Sequence, residues 1–270
     1  MWNQVQETVA FLKNKTNGFT PEFGVILGSG LGNFIEDIQI EFVVEYKDIP
    51  NFPVSTVQGH KGALVFGKVG EKNVVAMQGR FHYYEGYDAK QVTFPVRVMK
   101  YLGIQLLIVS NASGGVNPEF KVGDVMIIKD HINMIPDHPL RGHNDERFGP
   151  RFVNMSEPYK KVLISKAKGI ASSLQIDVKE GIYLALQGPT FETLAEYKYV
   201  KNVGADCVGM STVPEVIVAR HMDLDCFGIS VITDMGNEEE IETVNHEEVL
   251  EAAKKAEPKV RSLIKNLIMS

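Results

Sequence analysis

Six apolar, β-branched runs in this chain stop abruptly at small or chemically reactive residues: Gly28-Ser29-Gly30, Arg80/His82/Tyr84, Asn111-Ala112, Phe191-Glu192, Met210-Ser211 and Thr233-Asp234. Strands that alternate with amphipathic helices restrict a chain to an α/β architecture, and ligands of such folds collect at the carboxyl ends of the strands. Hydrophobic periodicity predicts strands over 23–27, 42–46, 63–69, 72–78, 105–110, 123–129, 181–186, 206–209 and 226–232. It predicts helices over 3–15, 93–102, 157–173, 193–202 and 213–221, with a last helix opened by a capping box of Asn245 and Glu248. Residues 136–155 lack periodicity and form a long loop, a kind of segment that usually carries function or an interface.

No linker, repeat or low-complexity tract divides residues 1–270, so one domain is expected. Its 28 basic and 34 acidic side chains leave a net charge of −6, which argues against nucleic acid or an anionic membrane as the main partner. Any anion must then be caught by a local arrangement. The first residues lack the basic start and apolar run of a signal peptide, and no apolar stretch approaches the ~20 residues of a membrane span, so a cytoplasmic protein is expected. Cys207 and Cys226 have neither zinc-site nor disulfide spacing and should be reduced and packed inside.

The densest chemistry lies in Gly79-Arg80-Phe81-His82-Tyr83-Tyr84-Glu85-Gly86-Tyr87. In an extended segment Arg80, His82 and Tyr84 would share one face, and a guanidinium fork, an imidazole and a phenol together suit an oxyanion beside a hydroxylated group. An aromatic surface loop with a structural Arg–Glu pair is the competing reading. Ser29, in a glycine turn after a strand, adds a hydroxyl donor, and Ser211 opens a helix with ready anion-binding geometry. His60, in a loop with Lys61, either touches an anion or is satisfied by backbone. The small residues of Asn111-Ala112-Ser113-Gly114-Gly115 leave room for a flat ring. Phe191 beside Glu192 can stack on a heterocycle while accepting its ring hydrogens; alternatively Glu192 only favours a helix start. The acidic segment 236–242 reads as a solvated loop or a lid, with His246 on the helical turn after it. From the residues alone, this is an α/β enzyme that binds an oxyanion next to a sugar or heterocycle.

The motifs GSGLG, GRFHYYEGY, NASGG with VNP, DHIN, NDERFG, GPTFET, GADCVGMSTVPEVIVARH and NHEEVL, in this order and over nearly the whole chain, closely resemble those of the trimeric purine nucleoside phosphorylases. The resemblance implies a single-domain α/β fold, a mixed, twisted, barrel-like sheet surrounded by helices. It implies a homotrimer that exchanges the base of a purine nucleoside for inorganic phosphate, a co-substrate, without metal or organic cofactor. It places phosphate at Ser29, His60, Arg80, His82, the Ala112 backbone and Ser211. Ribose would meet Tyr84, Met210, His246 and Phe152 of a neighbouring subunit. The base would lie among Ala112, Ser113, Phe191, Glu192, Val208, Gly209, Thr233 and Asp234, with His82, Glu192 and Asp234 as the catalytic residues.

Asp234 departs from the pattern, because members restricted to 6-oxopurines carry asparagine there. An ionised aspartate accepts hydrogen bonds and donates none, which suits a 6-amino group; a carboxyl kept protonated by burial would donate instead. Guanosine and inosine are the expected substrates, with use broadened toward adenosine by Asp234. The rival functions are a nucleosidase, a methylthioadenosine phosphorylase and a non-catalytic nucleoside sensor.

Overall fold

The computed structural model describes residues 1–54, 61–236 and 245–270. Among the described residues nine strands form one mixed sheet: β1 (Phe23–Ile26), β2 (Gln39–Glu45), β3 (Ala63–Val69), β4 (Lys72–Gln78), β5 (Leu106–Gly115), β6 (Val125–Asn133), β7 (Val178–Ala185), β8 (Cys207–Gly209) and β9 (Asp225–Met235). Their order is β2-β3-β4-β1-β5-β8-β7-β6-β9, and β9 pairs again with β5, so the last five strands close on themselves. β1 lies parallel to both β4 and β5, whereas β2, β3 and β4 form an antiparallel meander. Closure removes free edges from the five strands and gives the barrel-like α/β architecture that the family resemblance implied.

Helices cover the sheet: α1 (Trp2–Lys15), α2 (Ala89–Val92), α3 (Phe94–Leu102), α4 (Lys161–Ser173), α5 (Leu194–Asn202), α6 (Val213–His221) and α7 (His246–Met269). The i, i+4, i+7 spacing of Val5, Val9 and Leu12 gives α1 a buried stripe. Likewise Val249, Ala253, Ala256, Val260, Leu263 and Leu267 bury one side of α7, and the Asn245 side chain caps it by accepting from the Glu248 amide. Both cysteines are free and buried. Among the described residues no helix is long and apolar enough to cross a membrane.

Several boundaries differ from the sequence expectation, and two matter for the site. β5 runs on to Gly115 rather than stopping at Ser110, and β9 reaches Met235 instead of Ile232. Small polar residues have weak strand propensity, but here they pair with each other: Asn111 with Ser230, Ala112 with Val231 and Ser113 with Ile232. The register then slips, so that Gly114 faces Asp234. Such a bulge re-aims the side chains beside it. β6 likewise extends through Asp130-His131-Ile132-Asn133. α4 begins at Lys161, four residues later than expected, because Glu157 stays outside the helix and its carboxylate accepts from the Lys161 amide at 2.8 Å. The segment 136–155 carries no helix or strand, as expected.

Candidate active site

Close approach of β1 to β5 begins the site. A Cβ on Gly28 would stand 2.6 Å from the Ser110 carbonyl oxygen, so glycine lets the chain leaving β1 pass against the middle of β5 and brings Ser29 to the cavity. The ends of β1, β4, β5, β8 and β9, with the segment that follows β7, enclose a cavity of about 480 Å³. Ser29, Arg80, His82, Tyr84, Ala112, Ser113, Phe191, Glu192, Val208, Gly209, Met210, Ser211, Thr233, Asp234 and His246 all line it. Glu85, Asn111, Gly114, Pro189 and Val249 line it as well. Two sequence candidates are not among these. His60 lies outside the described residues, as does most of the acidic segment read as a loop or lid. Phe152 is 89% exposed and stands away from the cavity of its own chain.

The cavity holds two polar clusters. The first is centred on Arg80, which is 1% exposed. Its Nε donates to Glu215 Oε1 at 3.1 Å and its Nη2 to Oε2 at 3.3 Å, a two-point fork on a carboxylate that is itself only 3% exposed. Nη1 donates to the Ser110 carbonyl at 2.7 Å and to Ser211 Oγ at 3.2 Å. Arg80 thus pairs with an acid of α6, outside its own motif, and its burial departs from the competing reading of an aromatic surface loop. Glu85 serves His82, accepting from its backbone amide at 2.8 Å and lying 3.1 Å from Nδ1. Burial holds the His82 pKa below its ordinary value; Glu85 opposes that shift and the Arg80 charge adds to it.

Tyr84 reaches this cluster by a route other than strand alternation. Residues Tyr83–Glu85 form a 3-10 turn, so Tyr84 folds back and stacks on His82 with ring centroids 4.7 Å apart and planes 14° from parallel. Ser211 is placed by a turn whose centre, Thr212, has φ +70 and ψ −51, with the Val213 amide bonded to the Ser211 carbonyl at 2.7 Å. These are the angles of the rare, strained γ-turn, costly for a β-branched residue. Asn111 Nδ2 donates to Thr212 Oγ1 at 2.8 Å, and the Ser211 amide donates to the Tyr183 hydroxyl at 3.3 Å. A locked cation, an imidazole and the Ser29 and Ser211 hydroxyls can together hold a tetrahedral oxyanion in a chain of negative net charge.

The second cluster is acidic. Burial first, then the Asp234 charge, raises the Glu192 carboxyl to about 7. Burial also raises Asp234, against the lowering hydrogen bonds of Thr233 and Tyr197. Thr233 Oγ1 donates to Asp234 Oδ1 at 3.0 Å and the Tyr197 hydroxyl donates to Oδ2 at 3.3 Å. A Cβ on Gly114 would stand 2.7 Å from that Oδ2, so the glycine opposite the bulge leaves the carboxyl its place. The buried Glu192 carboxyl and the half-buried Asp234 carboxyl, beside the partly exposed Phe191 ring, can pair with the polar edge of a flat heterocycle. Among the described residues no group of three or more His, Cys, Asp or Glu side chains is arranged for a metal ion.

Sequence reading missed Glu215 and Tyr197. Each sits on a helix where an acid in the first turn, or an aromatic on the inner face, has an ordinary structural explanation.

Residues 22–269 match the family model of the phosphorylase superfamily. The chain is 49% identical over 264 residues to purine nucleoside phosphorylase 1 of Geobacillus stearothermophilus, covering 98% of this chain and 96% of that one. Isoform 2 of purine nucleoside phosphorylase from Schistosoma mansoni, solved with cytosine and ribose-1-phosphate, superposes with a TM-score of 0.94 at 40% identity, over 99% of this chain and 96% of that one. The Schistosoma mansoni purine nucleoside phosphorylase solved with adenosine gives a TM-score of 0.93 at 40% identity, over 98% and 96% of the two chains.

Proposed function

The chain belongs to the phosphorylase superfamily and within it to the purine nucleoside phosphorylases, which are pentosyltransferases, and from that premise we propose how its cavity divides the work. Phosphate binds at Arg80, Ser29, Ser211, His82 and the Ala112 backbone. Ribose lies along Tyr84, Met210 and His246, and the purine lies between Phe191 and Val208-Gly209 with its polar edge toward Glu192 and Asp234. The observation that carries this reading is the presence, in one cavity, of an Arg80 cluster built for an oxyanion and a carboxyl cluster built for a heterocycle.

In the reaction the C1′–N9 bond breaks, a bond forms from C1′ to a phosphate oxygen, and the proton given up by phosphate ends on the released base. Positive charge grows on the sugar and negative charge on the purine, so a catalyst must be complementary to that separation. Phosphate beneath the ring supplies the first complement, and hydrogen-bonding groups at Glu192 and Asp234 the second. His246 presents a polar side chain where the sugar's 5′ end would lie, which favours a hydroxyl over the methylthio group of methylthioadenosine. Inosine and guanosine are substrates in this reading, and Asp234 broadens use toward adenosine.

Phosphate-dependent release of base from both inosine and adenosine is the expected result; release without phosphate would make the protein a hydrolase. Asp234→Asn is expected to raise the inosine-to-adenosine ratio of kcat/KM by about 10- to 100-fold, the worth of a charged hydrogen bond of about 1.5–3 kcal/mol. An unchanged ratio removes Asp234 from specificity. The exposure of Phe152 supports a homotrimer in which this ring covers a neighbouring subunit's sugar. Sedimentation at the mass of a single 30.0 kDa chain would overturn that part.

A further inference from the structure

We propose that Glu192, Tyr197 and Asp234 form a one-proton selector: the two carboxyls share a single proton, and the Tyr197 hydroxyl donates to whichever of them is ionised. The inference rests on the reading above, that the purine's C6 edge faces these two carboxyls.

Tyr197 projects from α5, is only 2% exposed and brings its hydroxyl to Asp234, in the wall that also carries Glu192. It donates to Asp234 Oδ2 at 3.3 Å, and Glu192 lies near enough for its charge to act on the same phenol. A phenol carries one hydrogen, so it can serve only one carboxylate at a time. Neighbouring carboxyls shielded from water resist double ionisation and titrate as a pair. Glu192 and Asp234 are both raised by burial, and the charges of Asp234 and Glu196 add to the rise at Glu192. Tyr197 is raised as well and so stays a neutral phenol. The elements packed around the pair bring Glu196 and Tyr197 from α5, Asp234 and Thr233 from β9, and the uncharged Ser113 and Gly114 from β5.

Base chemistry gives the arrangement a use. A 6-oxopurine offers a hydrogen at N1 and an acceptor at O6, whereas a 6-aminopurine offers an acceptor at N1 and hydrogens at N6. The patterns are inverted, but each needs one proton across two carboxyls. With Asp234 protonated and Glu192 ionised the pocket complements the 6-oxopurine; with the proton on Glu192 and Asp234 ionised it complements the 6-aminopurine. Going from one to the other moves a single proton between the carboxyls, and the phenol is neutral before and after. An amide at position 234 would carry a fixed pair of hydrogens and could not follow the base in this way.

The test counts protons. Binding of hypoxanthine and of adenine to the phosphate-saturated enzyme is measured by calorimetry in buffers of different ionisation enthalpy, just below the Glu192 value of about 7. The expected result is net exchange near zero with both bases, because the proton moves within the pair. Uptake or release of about one proton with either base overturns the shared proton while leaving the broadened specificity intact. Failure of adenine to bind at all overturns both readings. In Tyr197→Phe, with an unchanged Tm, the expected result is a proton count displaced from zero for at least one base and a shifted inosine-to-adenosine ratio. If count and ratio both stay as in the parent enzyme, Tyr197 is structural and the proposal falls.

Discussion

Glu192→Ala is expected to lower kcat/KM for every purine nucleoside by about 10²–10³-fold, the usual cost of removing one preorganised polar partner from a transition state. Glu192 is buried at the cavity wall, and its carboxyl is the group there with its pKa raised to about 7. Groups so perturbed cluster at functional sites because the surroundings that perturb them are also those that strengthen their hydrogen bonds. Removal of the side chain leaves the base's polar edge without its partner where water enters poorly. The Arg80 cluster is built from other elements, so phosphate affinity should stay within about twofold, as contacts without shared partners act additively. A parallel loss of phosphate affinity would show that the two clusters are one unit, and a rate loss under tenfold would take Glu192 out of the chemistry.

Glu215→Ala is expected to cost roughly 3–5 kcal/mol of stability, the cost of leaving a buried charge without its partner. For a chain of this size that is a fall in Tm of roughly 10 °C. Glu215 and Arg80 are 3% and 1% exposed, and the carboxylate accepts from Nε and Nη2 of the guanidinium while Ser110 and Ser211 accept from Nη1. Without Glu215 the fork loses the contact that fixes its plane, and phosphate affinity should fall with it. The double variant Arg80→Met, Glu215→Leu separates the two effects. Replacing both charges by apolar groups of similar volume should restore most of the Tm, since a buried pair is worth little against packed hydrocarbon. Phosphate binding should stay lost. If Glu215→Ala melts within a degree or two of the parent enzyme, the pair is not the buried unit described here. If the double variant binds phosphate normally, Arg80 is not its ligand.

Much of the site was legible because strand ends announce themselves in the sequence. Gly28-Ser29-Gly30 after an apolar run would by itself fit a plain strand-to-helix turn, and it is the recurrence of such polar strand ends along the chain that points to a shared rim. Fifteen of the seventeen residues singled out do line the cavity; His60 lies outside the described residues and Phe152 is turned to solvent. Harder to read were features that depend on what lies opposite. Asn111–Gly115 and Thr233–Met235 look like loops by composition, and only their mutual pairing makes them strand. Tyr84 shares a cavity with Arg80 and His82 through a 3-10 turn that the two-residue alternation did not contain.

The sequence by itself determined the α/β architecture, the strand ends that carry polar groups and the oxyanion-plus-heterocycle chemistry, because hydrophobic period and residue type are local properties. Tertiary structure alone decided that Arg80 is locked by an acid 135 positions away, and that a register slip seats Asp234 against Gly114 within reach of Tyr197. Those are contacts between distant segments, created when the sheet closes and buried polar groups must find partners, and no local pattern encodes which partner each one finds.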